Sequence, residues 1–339
     1  MRTCQTPLAL RGVSAAFVAI FSAAILPAQT PDPLPARYQE AVETYQAGDV
    51  NLAVTSLSTL SSAELKTAVA AVSAEEGWPF KKAAAMLHTE VAIRQAGASP
   101  IIPQHLGLAE TLILTPPTEG QGFAERWYAF AGQFLLAHSI HPDAPRPFIE
   151  RGFRVSRVNP PLHVLAGILG ERLARLNDVE SQDREVRRHL EDAEREYRLA
   201  LDQAPELIEA RLRLGRVLFL LGRLRDARES LAAVQSSATD PGILYLAHLF
   251  LGAVNQAEED WAAARADYEA AMALGPEHQT PYIALSFVEQ AAGNVARARE
   301  LAVIVADLQN PPPRDPWWGY PRGAFDLDTL RWLRAEVRP

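Results

Sequence analysis

Cysteine is nearly missing from this chain. Its 339 residues include one, Cys4, so no disulfide framework and no Cys-x-x-Cys redox or metal pair can be built. Lysine is almost as scarce. Lys66, Lys81 and Lys82 are the three lysines among 33 basic residues, a skew that codon bias explains more simply than an anion site does. The formal charge of −8 argues against nucleic acid as a partner. Strand-forming markers are thin, while Ala, Leu, Arg and Glu abound, a mix that favours helix. Catalytic signatures are absent too. There is no Gly-x-Ser-x-Gly elbow, phosphate loop, His-Glu-x-x-His, calcium loop or Cys-x-x-Cys-His, so the common hydrolase, nucleotide, zinc and haem motifs are excluded. Gly120-Gln121-Gly122 lacks a third glycine and a preceding strand, and reads as a loop. No catalytic residue, metal ligand or cofactor is assigned.

What is present begins with a processed-looking start. Arg2 and Arg11 precede an apolar run from Val13 to Leu26, and small residues lead to Ala28. This pattern reads as a signal peptide over 1–28. The alternative is an inner-membrane anchor over 13–27, but the run is short for a full span. Cys4 would leave with the signal, and a cysteine-free exported chain fits a bacterial periplasm. A hydrophobic content of 48% supports a folded core beyond it.

A second pattern recurs along the chain. Ala264, Tyr268, Ala271 and Pro276 stand four, three and five residues apart, and Ala193, Tyr197, Ala200 and Pro205 repeat that spacing. Leu251-Gly252 opens its unit thirteen residues before Ala264; Leu214-Gly215 stands thirteen before Ala227, and Leu285-Ser286 thirteen before Ala298. The small residues Ala193, Ala227, Ala264 and Ala298 are separated by 34, 37 and 34 residues, a period that marks a helical solenoid.

On these residues, the stretch 163–312 resembles four tetratricopeptide repeats, most fully in 245–278. In 208–244 Leu231 and Val234 replace the aromatic and the second small residue. In 279–312 Ser286 replaces the glycine and Ala302 the aromatic. The early tryptophan of the motif is replaced by Arg211, His248 and Tyr282. The resemblance implies an all-α, right-handed superhelical solenoid of antiparallel helix pairs. Small residues let helix B approach helix A, Tyr268 fills the remaining gap, Gly252 clears the closest approach and Pro276 ends the unit. Gly222 and Gly293-Asn294 supply turns.

The sequence divides into a signal peptide (1–28), a divergent helical repeat region (29–128), repeats (129–312) and a Pro/Trp-rich tail with a capping helix (313–339). Residues 129–162 are read as a further unit, with Leu135-Leu136 in the Leu-Gly place. Gly48-Asp49 reads as a turn between helices, Lys81–Gly97 as one amphipathic helix stopped by Gly97, and 97–104 and 115–122 as loops. Five to seven helix pairs are expected. Leu169-Gly170 stands 24 residues before Ala193 instead of thirteen; the excess at Asn177–Arg187 reads as a charged insertion or an overlong helix B. In the tail, Phe325–Val337 reads as an amphipathic helix capped by Asp326. A solenoid end needs a cover, so Trp317, Trp318 and Trp332 are expected over the last repeat. The other reading is a docking motif of Trp317, Trp318 and Tyr320.

Candidate chemistry is sparse. His138 and His141 could hold a metal with Asp143, but a histidine at a helix C-terminus is the commoner arrangement. Glu191, Asp192, Glu194 and Glu196 read as outward-facing partners of neighbouring arginines. What remains is the inner face of the A helices: Glu209, Leu212, Arg216 and Phe219; Leu246, Leu249, Ala253 and Gln256; Thr280, Ile283, Phe287 and Gln290. This face lacks the lysine and asparagine cluster with which some tetratricopeptide proteins hold a C-terminal carboxylate. A peptide segment or partner subunit with apolar anchors fits it better, with Leu212, Arg216, Phe219, Leu249, Gln256, Ile283, Phe287 and Gln290 as contacts. The expectation is a non-enzymatic interaction scaffold of the cell envelope. The alternatives are a structural subunit docking through its tail, or an enzyme with its site in the divergent region. For Leu212, Leu249 and Ile283, packing between neighbouring repeats explains the apolar character as well as a partner does.

Overall fold

Turns and caps set the hairpins. Gly222 and Gly293 adopt φ of +77° and +84°, left-handed geometry that only glycine takes without strain, so each reverses the chain between two helices. Asp49, Asp240 and Asp260 cap the helices that follow by accepting from backbone N–H groups. The computed structural model describes residues 36–96, 101–139, 141–178, 183–308, 315–323 and 327–338. The region expected to be a signal peptide lies outside them, and all described residues belong to one unit, Leu34–Pro339.

The described residues form helices and contain no strand. Seven hairpins are present: α1 (Ala36–Gln46) with α2 (Val50–Ser58), α4 (Trp78–Arg94) with α5 (Ile101–Ile113), α6 (Gln121–His138) with α7 (Arg146–Val155), α8 (Pro160–Asp178) with α9 (Asp183–Gln203), α10 (Ile208–Leu220) with α11 (Leu224–Ser237), α12 (Pro241–Ala257) with α13 (Trp261–Leu274), and α14 (Gln279–Ala291) with α15 (Val295–Asp307). Helix α3 (Ser62–Glu75) packs on α5 and α4. From α9 onward each second helix packs on the first helix of the next pair, so the chain is an all-α repeat array.

The motif residues do the packing. Ala193, Tyr197, Ala200, Ala227, Leu231, Val234, Ala264, Tyr268 and Ala271 are all buried. A methyl on Gly252 would lie 2.5 Å from the Tyr268 ring, and one on Gly215 would lie 2.6 Å from Leu231. The missing side chain therefore sets the distance between helices.

Several expectations are corrected. Helix α4 is not amphipathic: Ala83 to Ala92 are buried without a break, because α1, α2, α3 and α5 all pack around it. Gly97 lies outside the described residues. Residues 101–104, read as loop, open α5. In the unit after α5 the glycines at close approaches are Gly132, whose missing side chain admits Leu165 of α8, and Gly152, whose missing side chain admits Tyr128 of α6 and Leu162 of α8, instead of the Leu135-Leu136 place. The excess near Asn177–Arg187 lengthens both α8 and α9, to 19 and 21 residues. In the last repeat Ala302, at the place of the missing aromatic, is exposed, and the buried residue is Leu301 before it.

The C-terminal segment departs furthest from expectation. Short helix α16 (Pro316–Gly319) packs on α12, and the following turn (Tyr320–Arg322) packs on α8 and α6. Helix α17 (Leu327–Ala335) forms as expected but packs on α6. Leu330, Leu333 and Val337 are buried while Leu327 stays exposed; Asp326 lies outside the described residues. The described tail residues thus lie over the first helices of the hairpins, and none of their helices packs on α15. Buried polar partners decide this route: the tail finds matched groups on α14, α12, α10, α8 and α4.

Candidate functional site

The carboxylate of Glu171, on α8, organises the face beneath the tail. It accepts from Tyr197 (2.5 Å), Arg216 (2.8 Å) and the Tyr320 hydroxyl (3.1 Å). Arg213 donates to Glu209 and to the Tyr320 carbonyl, 3.0 Å each, and its guanidinium lies 4.3 Å from the Tyr320 ring centroid. Burial, helped by the Glu171 charge, pushes the Tyr320 phenol upward, so it stays protonated and donates. Trp317 stacks on Tyr320, meets Phe250 edge to face, and lies over Arg216.

A second socket holds Asp315. Its carboxylate accepts from the Tyr245 hydroxyl (2.9 Å), the Thr280 hydroxyl (2.5 Å), the Thr280 N–H (3.1 Å) and the Trp317 N–H (2.9 Å). With four donors this buried charge is fully solvated by the protein. Further along, Arg126 stacks on Trp332 at 3.8 Å, and Arg334 donates to both oxygens of Glu90.

The expected contact residues therefore separate. Leu212 and Leu249 are buried. Arg216 is committed to Glu171, and Gln256 accepts from the Tyr268 hydroxyl at 3.0 Å. Phe219 is partly buried. Ile283 and Phe287 remain 42% and 63% exposed, beside exposed Gln290. Of the tail residues, Tyr320 is buried, Trp317 partly so, and Trp318 is half exposed.

Other clusters resolve into structure. His138 closes α6 with its ring on Phe134. Of the acidic cluster, Glu194 is buried and accepts from Arg198 and from Arg223 of the next hairpin, contrary to the outward orientation expected for it. No motif or spacing in the sequence points to a histidine pair in the N-terminal region. His88 Nε2 meets the Tyr38 hydroxyl at 3.1 Å, and its Nδ1 meets His105 Nδ1 at 2.9 Å. Burial, with His105 beside it, pushes His88 down to about 3, so the ring is neutral and structural. Among the described residues no group of three or more His, Cys, Asp or Glu could hold a metal ion, and no helix is long and apolar enough to cross a membrane.

The Gly252–Tyr268 and Gly215–Leu231 contacts, with the buried alanines around them, are the packing that the resemblance to tetratricopeptide repeats implies, and the fold is an all-α array of repeated helix pairs. No family model matches the chain, and no curated protein matches it. Several solved structures are similar. MamA 41-end from Desulfovibrio magneticus RS-1 is 21% identical over 56% of this chain and 96% of its own, with a TM-score of 0.44. The pilF protein of Pseudomonas aeruginosa is 14% identical over 64% of this chain and 89% of its own, at 0.45. YrrB, described as a tetratricopeptide protein with an unusual peptide-binding site, is 16% identical over 58% and 93%, at 0.42.

Proposed function

We propose that the protein is a non-enzymatic interaction scaffold that holds a segment of a partner protein against the first helices of its hairpins. One observation carries the reading: this face receives a short, helically wound aromatic segment in the structure, the chain's own Asp315–Tyr320, through sockets built on α8, α10, α12 and α14. A face made of rigid, packed helices binds such a segment with little ordering cost of its own. The part of the face left open lies on α14, where Ile283, Phe287 and Gln290 offer apolar anchors with a polar end. Leu212, Arg216, Leu249 and Gln256 shape and stiffen the floor, and Phe219 flanks it.

The cell envelope is the proposed location and rests on residues 1–28 alone. A subunit docking outward through Trp317, Trp318 and Tyr320 has less support, because Tyr320 is buried and Trp317 packs inside. The test is affinity capture from the native envelope with the full chain and with Phe287→Glu and Ile283→Asp. Loss of the same captured protein from both variants, at unchanged helicity, is expected. Capture that survives both substitutions would overturn the α14 assignment.

A further inference from the structure

The residue that follows the small residue of each second helix is charged at every repeat: Glu194, Arg228, Arg265 and Arg299. At three junctions the next hairpin neutralises it or hydrogen-bonds it. Glu194 accepts from Arg223 at 2.5 Å. Arg228 donates to Asn255 at 2.5 Å and pairs with Glu258. Arg265 grips Glu289 through two hydrogen bonds of 2.5 and 3.0 Å. Glu289 is 3% exposed, and Arg265 with Asn294 holds its carboxyl below the usual range. These pairs set how one hairpin seats on the next.

Arg299 stands at the fourth such position and has no ion pair or hydrogen bond with a described residue. Val295, Arg299, Ala302 and Ala306 follow at four, three and four residues, so they share one face of α15, and all four are exposed. In the two preceding repeats the corresponding positions are Leu224, Arg228, Leu231 and Gln235, then Trp261, Arg265, Tyr268 and Met272. There Leu224, Leu231, Trp261, Tyr268 and Met272 belong to the core or pack against it. The described tail residues pack on α12, α8 and α6 instead of on this surface.

We propose that this face of α15 is a second interface, independent of the α14 site, which takes one helix of a different protein. That helix carries a glutamate, set among small or apolar residues, to meet Arg299 as Glu289 meets Arg265. The chemistry follows from the junction that precedes it: a cation flanked by apolar positions on a flat helical face selects an acid on an apolar helix. A second copy of this chain fits less well. Its first helix, α1, has exposed Gln39, Glu40 and Glu43, which supply the acid without the apolar surround.

Two measurements on the full chain test this. A stapled peptide of residues 279–291, the α14 sequence that seats on α13, is titrated by fluorescence anisotropy. Binding is expected to weaken at least tenfold with Arg299→Glu, and a peptide carrying Glu289→Arg should recover it on that variant. Binding that ignores both charge reversals overturns the proposal. Photo-crosslinking from position 302 or 306 in native cells should then give a helical segment of another protein, lost with Arg299→Glu and retained with Phe287→Glu. No adduct, or an adduct with a second copy, overturns it. Because Phe287 tests the α14 site and Arg299 this one, either can fail alone.

Discussion

Arg334 and Glu90, 244 residues apart, are joined by two hydrogen bonds of 2.6 and 2.8 Å. Glu90 is 2% exposed, so it is a buried charge whose main partner arrives from the end of the chain. Arg334→Ala leaves that carboxylate largely unpaired. Breaking a fully buried pair costs about 3–5 kcal/mol, and because the Arg334 side chain is 35% exposed we expect about 2 kcal/mol. Urea unfolding followed by helicity checks this. Glu90→Gln with Arg334→Gln should lose less than Arg334→Ala alone, and an equal loss would contradict the pairing argument.

Two glycines should respond in opposite directions. Gly252→Ala places a methyl against the Tyr268 ring and should cost about 1–3 kcal/mol by overpacking, partly relieved by Tyr268→Leu. Gly107 sits within α5 with nothing within 4 Å of an added methyl. Gly107→Ala should stabilise by up to about 1 kcal/mol, the helix propensity difference. Thermal midpoints of the three variants settle both.

Stability should fall as acid is added. His88 titrates at about 3 in the fold, against 6.5 for a free imidazole, and burial pushes His105 in the same direction. Below pH 6.5 the unfolded chain gains protons that the folded chain refuses, so this contribution is complete above pH 6.5 and is lost as the pH drops toward 3. The slope approaches about 1.4 kcal/mol per pH unit for His88, and His105 adds in the same direction. His88→Gln should flatten the curve of urea midpoint against pH between 6.5 and 4. An unchanged slope would rule out the neutral pair.

Tyr320→Phe removes one of the donors to Glu171, which keeps Tyr197, Arg213 and Arg216. The expected loss is about 1 kcal/mol. Glu171→Ala should cost more, because it leaves Arg213, buried at 2% exposed, with Glu209 as its remaining carboxylate. Calorimetry of the two variants should keep that order.

How much of this was legible in the sequence follows from the range of the interactions. The hairpins were readable because the spacing of Ala264, Tyr268 and Ala271 encodes contacts between neighbouring helices. Gly222 and Gly293 marked turns for the same local reason. The route of the tail was not readable. Tyr320 meets Glu171 across 149 residues and Tyr245 meets Asp315 across 70, and neither residue type announces its partner. Trp317, Trp318 and Trp332 are expected over the last repeat, but Trp317 lies against Phe250 and Arg216, Trp332 lies against Arg126 and Trp318 is half exposed, because buried acids and arginines far upstream set the route. The charged residue after each small one was visible as a column of Glu194, Arg228, Arg265 and Arg299. Its meaning needed the partners Arg223, Asn255 and Glu289 to be seen beside it.

The bond between Glu90 and Arg334 has a consequence for synthesis. A ribosome adding about 5–20 residues per second makes the arginine roughly 12–50 s after the glutamate. Throughout that interval helix α4 sits among completed neighbours with an acid lacking its cationic mate. Helix α4 therefore gains this buried pair only once Arg334 has been made, so an element synthesised early completes its packing late.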